Sequence, residues 1–128
     1  MSDEQAKTQT TKPGGDSVFG QIIRKEIPAK ILYEDDNTIA IRNRNPRAPS
    51  HFLVIPKTPI TGISAAKKEH IPILGEMMYT AKKVAEQEGL SEGYRLVVND
   101  GDHGCQSVYH IHMHVIGGKQ LSWPPGTD

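Results

Sequence analysis

The chain has 128 residues, and 15 Lys and Arg balance 15 Asp and Glu to a formal net charge of zero. This length suits one ordinary domain, which can bury a core without disulfides or metals. A neutral chain argues against nucleic acid or an anionic membrane surface as the main partner, because both normally require a basic face. A small phosphate ligand needs only a local pocket and stays compatible with this composition.

The single cysteine, Cys105, cannot form a disulfide within the chain. A reducing compartment such as the cytoplasm or the nucleus is therefore expected. Residues 1–15 are polar and contain no apolar segment of the kind found in secretory signals. They are predicted to form a disordered arm ahead of one domain over residues 16–128. No apolar run reaches the roughly 20 residues that span a bilayer.

The first half of the domain is predicted to contain a short helix and three strands. Asp16 or Ser17 can cap the helix, which should end before Pro28. Strands are predicted at residues 31–34, 38–41 and 51–56, with a polar turn joining the first two. The third strand is almost continuously apolar, which indicates a central, buried position in a sheet.

The second half is predicted to contain one long helix and two strands. Pro72 suits the first turn of the helix, and Gly89 is expected to end it. Its apolar residues recur at intervals of three and four, and we expect Met77 and Met78 to lie in the core. Strands at residues 95–99 and 108–116 complete the set. Five strands and two helices favour an α+β fold, a mainly antiparallel sheet covered by the long helix.

The most informative segment is the predicted last strand, in which His110, His112 and His114 occupy alternate positions. Side chains alternate between the two faces of a strand, so the three imidazoles share one face at spacings of about 6.6 Å. The apolar residues between them face the other way and can pack under the helix. The pattern therefore predicts a cluster of groups that titrate near neutral pH.

Three interpretations of this cluster are open: a solvated polar face, a zinc site, or phosphoryl chemistry. In the last, one histidine is a nucleophile and the others donate hydrogen bonds to phosphate. Neighbouring residues favour it. Asn99 ends the preceding strand, Gln106 and Ser107 offer a hydroxyl and backbone N–H groups, and a glycine-containing turn lets backbone approach a ligand. His51, which opens another strand, can join the cluster.

Residues 110–116 match in full the pattern His-apolar-His-apolar-His-apolar-apolar, and the chain thereby resembles the histidine-triad superfamily. Further segments resemble its Hint branch of nucleotide-binding proteins, namely residues 19–23, 26–29, 33–36, 48–57, 93–95 and 123–126. The match covers roughly residues 16–126. The Gln-Ser-Val lead-in to the histidines and the Trp-Pro-Pro-Gly end favour this branch over the Fhit-like dinucleoside polyphosphate hydrolases.

The resemblance implies a HIT-like fold and a homodimer whose two five-stranded sheets join into one of ten strands. It implies hydrolysis of purine nucleoside phosphoramidates, such as adenosine 5′-monophosphoramidate, and of acyl nucleotides. The reaction would pass through a covalent nucleotidyl-histidine and release AMP or GMP, with no cofactor and no metal ion. The alternatives are a nucleotide- or partner-binding regulatory protein with vestigial hydrolysis, and a zinc-binding module.

The resemblance also implies a role for each site residue. It makes His112 the nucleophile and places His114 and Asn99 against the α-phosphate. The remaining catalytic roles fall to Ser107, near the leaving group, and to two supporting histidines, His51 and His110. The implied substrate contacts are completed by Cys105, Gln106 and Val108 in the lead-in, Phe19, Ile22 and Ile41 around the base, Asn43 and Arg44 near the ribose, and Trp123 of the partner subunit.

Four positions depart from the family pattern. Asn43 falls where the family has a ribose-binding aspartate, and Arg42 and Arg44 flank it where neutral or apolar residues are usual. A neutral acceptor forms weaker hydrogen bonds than a carboxylate. Cys105 stands where the phosphate loop usually has glycine. The departures predict intact phosphate chemistry with altered nucleoside recognition.

Overall fold

The computed structural model describes residues 15–126. The predicted disordered arm, apart from Gly15, lies outside the described residues. Two helices and five strands are present: α1 (Val18–Ile23), β1 (Ile31–Glu34), β2 (Thr38–Arg42), β3 (Ser50–Pro56), α2 (Ile71–Gln87), β4 (Tyr94–Val97) and β5 (Met113–Gly117). Two short 3₁₀ turns, Ile63–Ala65 and Lys68–His70, lead into α2.

The five strands form one antiparallel sheet in the order β1-β2-β3-β5-β4. β3 is the central strand, and all seven of its residues are buried, as its apolar sequence predicts. The α+β fold, with one long and one short helix, is confirmed. In this order β3 and β5 lie side by side, which brings His51 of one strand close to His114 of the other.

The two helices cover opposite faces of the sheet, and the alternation along β3 decides which residue meets which helix. Phe52 and Val54 pack in a cluster with residues of α2 such as Ala81. Leu53 and Ile55 pack in a second cluster with residues of α1. The sheet therefore has a thick core under α2 and a smaller one under α1, and the latter lies beside the histidines.

The helix ends follow the capping rules. The Ser17 hydroxyl accepts a hydrogen bond from the Gly20 backbone at 3.2 Å, so Ser17, and not Asp16, caps α1. Gly89 follows the end of α2 with a φ of +75°, a conformation that favours glycine. Within residues 15–126, no helix is long and apolar enough to cross a membrane.

The prediction of one strand over residues 108–116 is wrong in part, because β5 begins only at Met113. The preceding segment leaves the strand ladder: the Ile111 backbone N–H donates to the carbonyl of Ile60, at 2.6 Å, and not to a neighbouring strand. The bounds of β4 also differ, since it covers Tyr94–Val97 in place of the predicted residues 95–99.

The expectation that both adjacent methionines of α2 lie in the core is also wrong. Met77 is 1% exposed, whereas Met78 is 56% exposed. Successive residues of a helix point about 100° apart, so a single sheet face cannot cover both. The outer face of α2 consequently presents Ile71, Met78 and Tyr79 to solvent.

Candidate active site

The histidines share the α1 face of the sheet, although only His114 belongs to β5. The ring of His112 lies 4.9 Å from that of Phe19 in α1 and 5.2 Å from that of His114, measured between centroids. Ile111 and Met113 pack in the core under α2. The predicted alternation therefore persists through the segment that has left the ladder.

In the His112 ring, Nδ1 forms a hydrogen bond to the backbone and Nε2 is unprotonated. Its Nδ1 lies 2.9 Å from the backbone carbonyl oxygen of His110, which can only accept, so Nδ1 carries the proton and Nε2 keeps its lone pair. The side chain is 5% exposed. Burial lowers the pKa of His112, and the bond to the carbonyl of His110 opposes this only partly. At neutral pH the ring is an uncharged base with a fixed tautomer.

A second chain of hydrogen bonds fixes the tautomers of His51 and His114. The Arg47 backbone N–H donates to Nδ1 of His51 at 3.0 Å, so the proton of His51 is on Nε2. That Nε2 lies 3.0 Å from Nδ1 of His114 and donates to it. The proton of His114 is therefore on its own Nε2, where it can be donated to a ligand.

Like His112, His51 and His114 stay uncharged at neutral pH. Burial lowers the pKa of His114 to about 4, and repulsion from His112 and His51 contributes. Burial also lowers the pKa of His51, followed by the effect of the Arg47 charge. The site thus combines a nucleophilic lone pair on His112 with an N–H donor on His114, as attack on a phosphoryl group requires.

His110 is held by structural groups. Its Nε2 donates to the carbonyl of Pro56 at 2.7 Å, and the Ser17 hydroxyl lies 3.5 Å from its Nδ1. The side chain is fully buried. These contacts fix the backbone at residue 110, and this backbone supplies the carbonyl that orients His112.

A cavity of about 460 Å³ opens between α1 and the β2–β3 pair. Its floor is apolar and its rim is polar and basic, and a volume of this size is usual for a small-ligand site. Six residues singled out from the sequence line it: Phe19, Ile22, Ile41, Asn43, Arg44 and Val108. Leu53 also lines the cavity, although the sequence analysis did not predict it. Strand alternation could have indicated it, because Leu53 lies on the same face of β3 as His51.

A second cavity, of about 340 Å³, lies on the other side of Asn43. It is lined by His51, Asn99 and His114 among others. His112 itself lines neither cavity, but its ring contacts Phe19, which lines the first, and His114, which lines the second. Asn43 and Asn45 line both cavities, so the two are adjacent.

The loop before the histidines is closed by its own hydrogen bonds. The Asn99 amide nitrogen donates to the carbonyl of Gly104 at 2.7 Å, which leaves one N–H for a ligand. The Gln106 side chain bonds three backbone groups, those of Gly101, Thr61 and Val108, so it shapes the loop and is not available to substrate. A Cβ at Gly104 would clash with the Asp100 backbone, so this position requires glycine.

Six predicted site residues line neither cavity: His110, His112, Gln106, Cys105, Ser107 and Trp123. Cys105 is exposed and has a φ of +61°, a conformation that favours glycine and explains why a glycine is expected there. Ser107 is exposed. Trp123 is 82% exposed, and the structure does not bring it to the histidines of its own chain. Its contact with a partner subunit stays a prediction.

The two unusual residues beside Asn43 differ in their surroundings. The Arg42 guanidinium pairs with Glu88, at 2.6 Å, just beyond α2, and so is directed away from the histidines. The Arg44 side chain is exposed at the rim of the larger cavity. Asn43 itself accepts from the Asn45 backbone at 2.8 Å, and its amide nitrogen lies 3.2 Å from Nε2 of His51.

Taken together, an antiparallel sheet carries buried histidines, with an unprotonated Nε2 on His112 and an N–H donor on His114, beside a cavity of small-ligand size. The particular family follows from comparison with known proteins. The chain belongs to the HIT-domain family, whose sequence model matches residues 24–121.

Relatives extend the match to almost the whole chain. A Brassica juncea protein named 14 kDa zinc-binding protein is 58% identical, over 87% of this chain and 100% of that protein. The Arabidopsis thaliana adenylylsulfatase HINT1 is 52% identical, over 98% of this chain and 86% of that protein. The crystal structure of a HIT family hydrolase from Legionella pneumophila has a TM-score of 0.83 and 45% identity, over 85% and 98% of the two chains.

Proposed function

We propose that this protein hydrolyses conjugates of purine nucleoside 5′-monophosphates by way of a covalent nucleotidyl-histidine. Family membership and the hydrolase names of relatives support a nucleotide hydrolase. The observation that carries the proposal is the 2.9 Å contact between Nδ1 of His112 and the carbonyl of His110. It directs an unprotonated Nε2 away from the backbone, as a nucleophile requires.

In this mechanism Nε2 of His112 attacks the α-phosphorus, and the bond from phosphorus to the leaving group breaks in line. Nε2–H of His114 and backbone N–H groups near Ser107 donate to the phosphoryl oxygens, where charge develops. Water then cleaves the bond between phosphorus and His112 and releases the nucleoside monophosphate. An amine leaving group needs a proton, which the Ser107 hydroxyl can relay.

The proposed substrates are phosphoramidates such as adenosine 5′-monophosphoramidate, and acyl nucleotides. The name of the A. thaliana relative adds adenylyl sulfate as a candidate. In all three, the same attack on the α-phosphorus expels a different group, an amine, a carboxylate or sulfate. The His112 geometry therefore sets the reaction, and the leaving group decides how much proton relay is needed.

A zinc site, which the name of the B. juncea relative brings forward, does not fit these residues. Within residues 15–126, no group of three or more His, Cys, Asp or Glu side chains is placed to hold a metal ion. Each of the four site histidines has at least one nitrogen in a hydrogen bond. Only Nε2 of His112 and Nε2 of His114 remain directed at a ligand, whereas catalytic zinc sites use three protein ligands.

We also propose that the active form is a homodimer. Among the described residues β4 pairs only with β5, so its other edge is unpaired, and such edges normally need cover. The outer face of α2 exposes Ile71, Met78 and Tyr79. A two-fold interface over this edge and this face would form a ten-stranded sheet and cover the apolar residues.

Turnover of a fluorogenic adenosine phosphoramidate, with and without a chelator, tests the function. We expect chelator-insensitive turnover and a transient adenylyl group on His112, seen by quenched-flow mass spectrometry. A His70→Gln variant, which changes a histidine outside both cavities, should behave as wild type. Nucleotide binding without turnover would favour the regulatory alternative, and chelator-sensitive turnover restored by zinc would favour a metal site.

A further inference from the structure

The two cavities fix where the ribose of a bound nucleotide would lie. The apolar floor that includes Phe19 suits the base, and His112 and His114 take the α-phosphate. The ribose joins these two parts of a nucleotide. Asn43 lines both cavities, so the ribose hydroxyls lie beside the loop that contains Asn43 and Arg44.

This part of the surface is basic. Lys30 and Arg44 line the larger cavity and are exposed, and no aspartate or glutamate is among the described residues that line it. Arg42 is neutralised by Glu88. Within residues 15–126, no hydrogen bond or ion pair holds the side chain of Lys30 or of Arg44. Two uncompensated cations therefore line the larger cavity: Arg44, which follows Asn43, and Lys30, whose backbone carbonyl accepts from the Arg42 N–H.

The Asn43 amide adds a hydrogen-bond donor to these charges. Its oxygen accepts from the Asn45 backbone N–H, and its nitrogen faces His51 at the site. Nε2 of His51, 3.2 Å away, carries a proton and cannot accept from it. The N–H groups of Asn43 thus remain for a ligand. Ribose hydroxyls both donate and accept, whereas a phosphate only accepts, and this set of groups only donates.

We propose that this site binds nucleotides that carry a second phosphate on the ribose, at the 2′ or the 3′ oxygen. The preferred substrates are then 5′-conjugates of such ribose-phosphorylated nucleosides. The inference rests on the proposed function for the reaction, and it adds the substrate class. Arg44 and Lys30 hold the additional phosphate, and the neutral Asn43 allows it to approach where a carboxylate would repel it.

Equilibrium binding to the full chain tests the inference without turnover. AMP is compared by calorimetry with adenosine 2′,5′-bisphosphate and adenosine 3′,5′-bisphosphate. We expect one bisphosphate to bind at least about tenfold more tightly than AMP, the factor that one charge-assisted hydrogen bond supplies. The advantage should shrink as salt rises, because both cations are exposed. The two isomers show which oxygen carries the phosphate.

Variants separate the ribose contact from other roles of the same residues. Arg44→Gln should weaken both bisphosphates far more than AMP and so remove most of the bisphosphate advantage. Asn43→Asp should also reduce the advantage, by charge repulsion. Lys68→Gln removes one exposed charge outside both cavities and should change neither affinity.

Equal affinity of wild type for AMP and both bisphosphates would overturn the inference. So would an Arg44→Gln variant that weakens AMP and the bisphosphates alike, since Arg44 would then contact the base or the 5′-phosphate. Failure of the proposed function gives a different result: a bisphosphate preference with no hydrolysis of any conjugate. Hydrolysis of phosphoramidates without a bisphosphate preference would retain the function and reject this substrate class.

Discussion

His51 donates from Nε2 to Nδ1 of His114 across 3.0 Å, although 63 positions of the sequence separate the two residues. The Arg47 backbone N–H holds the other side of His51. A backbone donor thus sets two tautomers in succession and directs the proton of His114 toward the ligand. No side chain in this relay carries a charge at neutral pH, so its effect depends on geometry.

The first prediction concerns the pH dependence of kcat/KM. His112 must be neutral to attack, and burial lowers its pKa below the ordinary value of 6.5. The acid limb of kcat/KM should therefore be centred below pH 6.5, where His112 takes up a proton, and activity should be retained toward pH 8. Steady-state kinetics between pH 4.5 and 8.5 measure this. An acid limb centred at or above pH 6.5 would contradict a buried, neutral nucleophile.

A His51 variant tests whether the contact between His51 and His114 helps to lower the pKa of His114. In His51→Ala the repulsion that helps to lower the pKa of His114 is lost, and solvent enters beside the ring. The pKa of His114, followed by NMR, should rise from about 4 toward its ordinary value. An unchanged value would show that His51 does not affect His114. The His70→Gln variant serves as the control for NMR assignment and folding.

The second prediction concerns the nucleophile. His112→Ala should abolish turnover, since loss of a nucleophile can cost on the order of a millionfold. His112→Asn should bind substrate without cleaving it, because the amide fills part of the ring's space and lacks a basic nitrogen. Single-turnover kinetics and nucleotide binding measure the two effects. An alanine variant with a tenth of the wild-type rate would assign the nucleophile to another group.

The third prediction concerns Asn43 and substrates with an unmodified ribose. Asn43→Asp introduces a charged acceptor for the ribose hydroxyls, which bonds more strongly than a neutral one. The KM for an adenosine phosphoramidate should fall about three- to tenfold, worth roughly 0.7 to 1.4 kcal/mol. The value of kcat should change little, because the ribose contact is equal in ground and transition states.

The matched control for this variant is Gln120→Glu, which also converts an amide to a carboxylate but lies in the exposed tail. Its KM should equal that of wild type. A KM that is unchanged or raised in Asn43→Asp would mean that Asn43 does not contact the ribose, or that Arg44 has adapted the cavity to another ligand.

The fourth prediction concerns assembly. Sedimentation at micromolar concentration should show a dimer, because the unpaired edge of β4 and the apolar face of α2 need cover. Met78→Lys places a charge on that face and should shift the protein toward monomer. Lys68→Gln, outside that face, should not. A wild-type monomer would reject the interface and leave Trp123 without the partner site predicted for it.

The sequence by itself determined those features that depend on short-range geometry. Alternation along a strand places His110, His112 and His114 on one face, and this holds even outside the ladder. The bond from His112 to the carbonyl of His110 joins residues only two positions apart. The helix cap at Ser17 and the helix end before Gly89 follow from local donors and from φ preferences. Each of these features needs only a few neighbouring residues.

Only the tertiary structure decided which distant groups meet. The register of β3 against β5 sets His51 opposite Ile116 and so brings its ring within hydrogen-bond distance of His114. The carbonyl of Ile60 accepts from the Ile111 N–H, which a longer strand would have used. The position of α2 on the sheet buries Met77 and exposes Met78. Local periodicity is the same for every register and every helix rotation, so it cannot select among them. The packing of the whole sheet and both helices makes that selection, because only one arrangement buries both apolar faces at once.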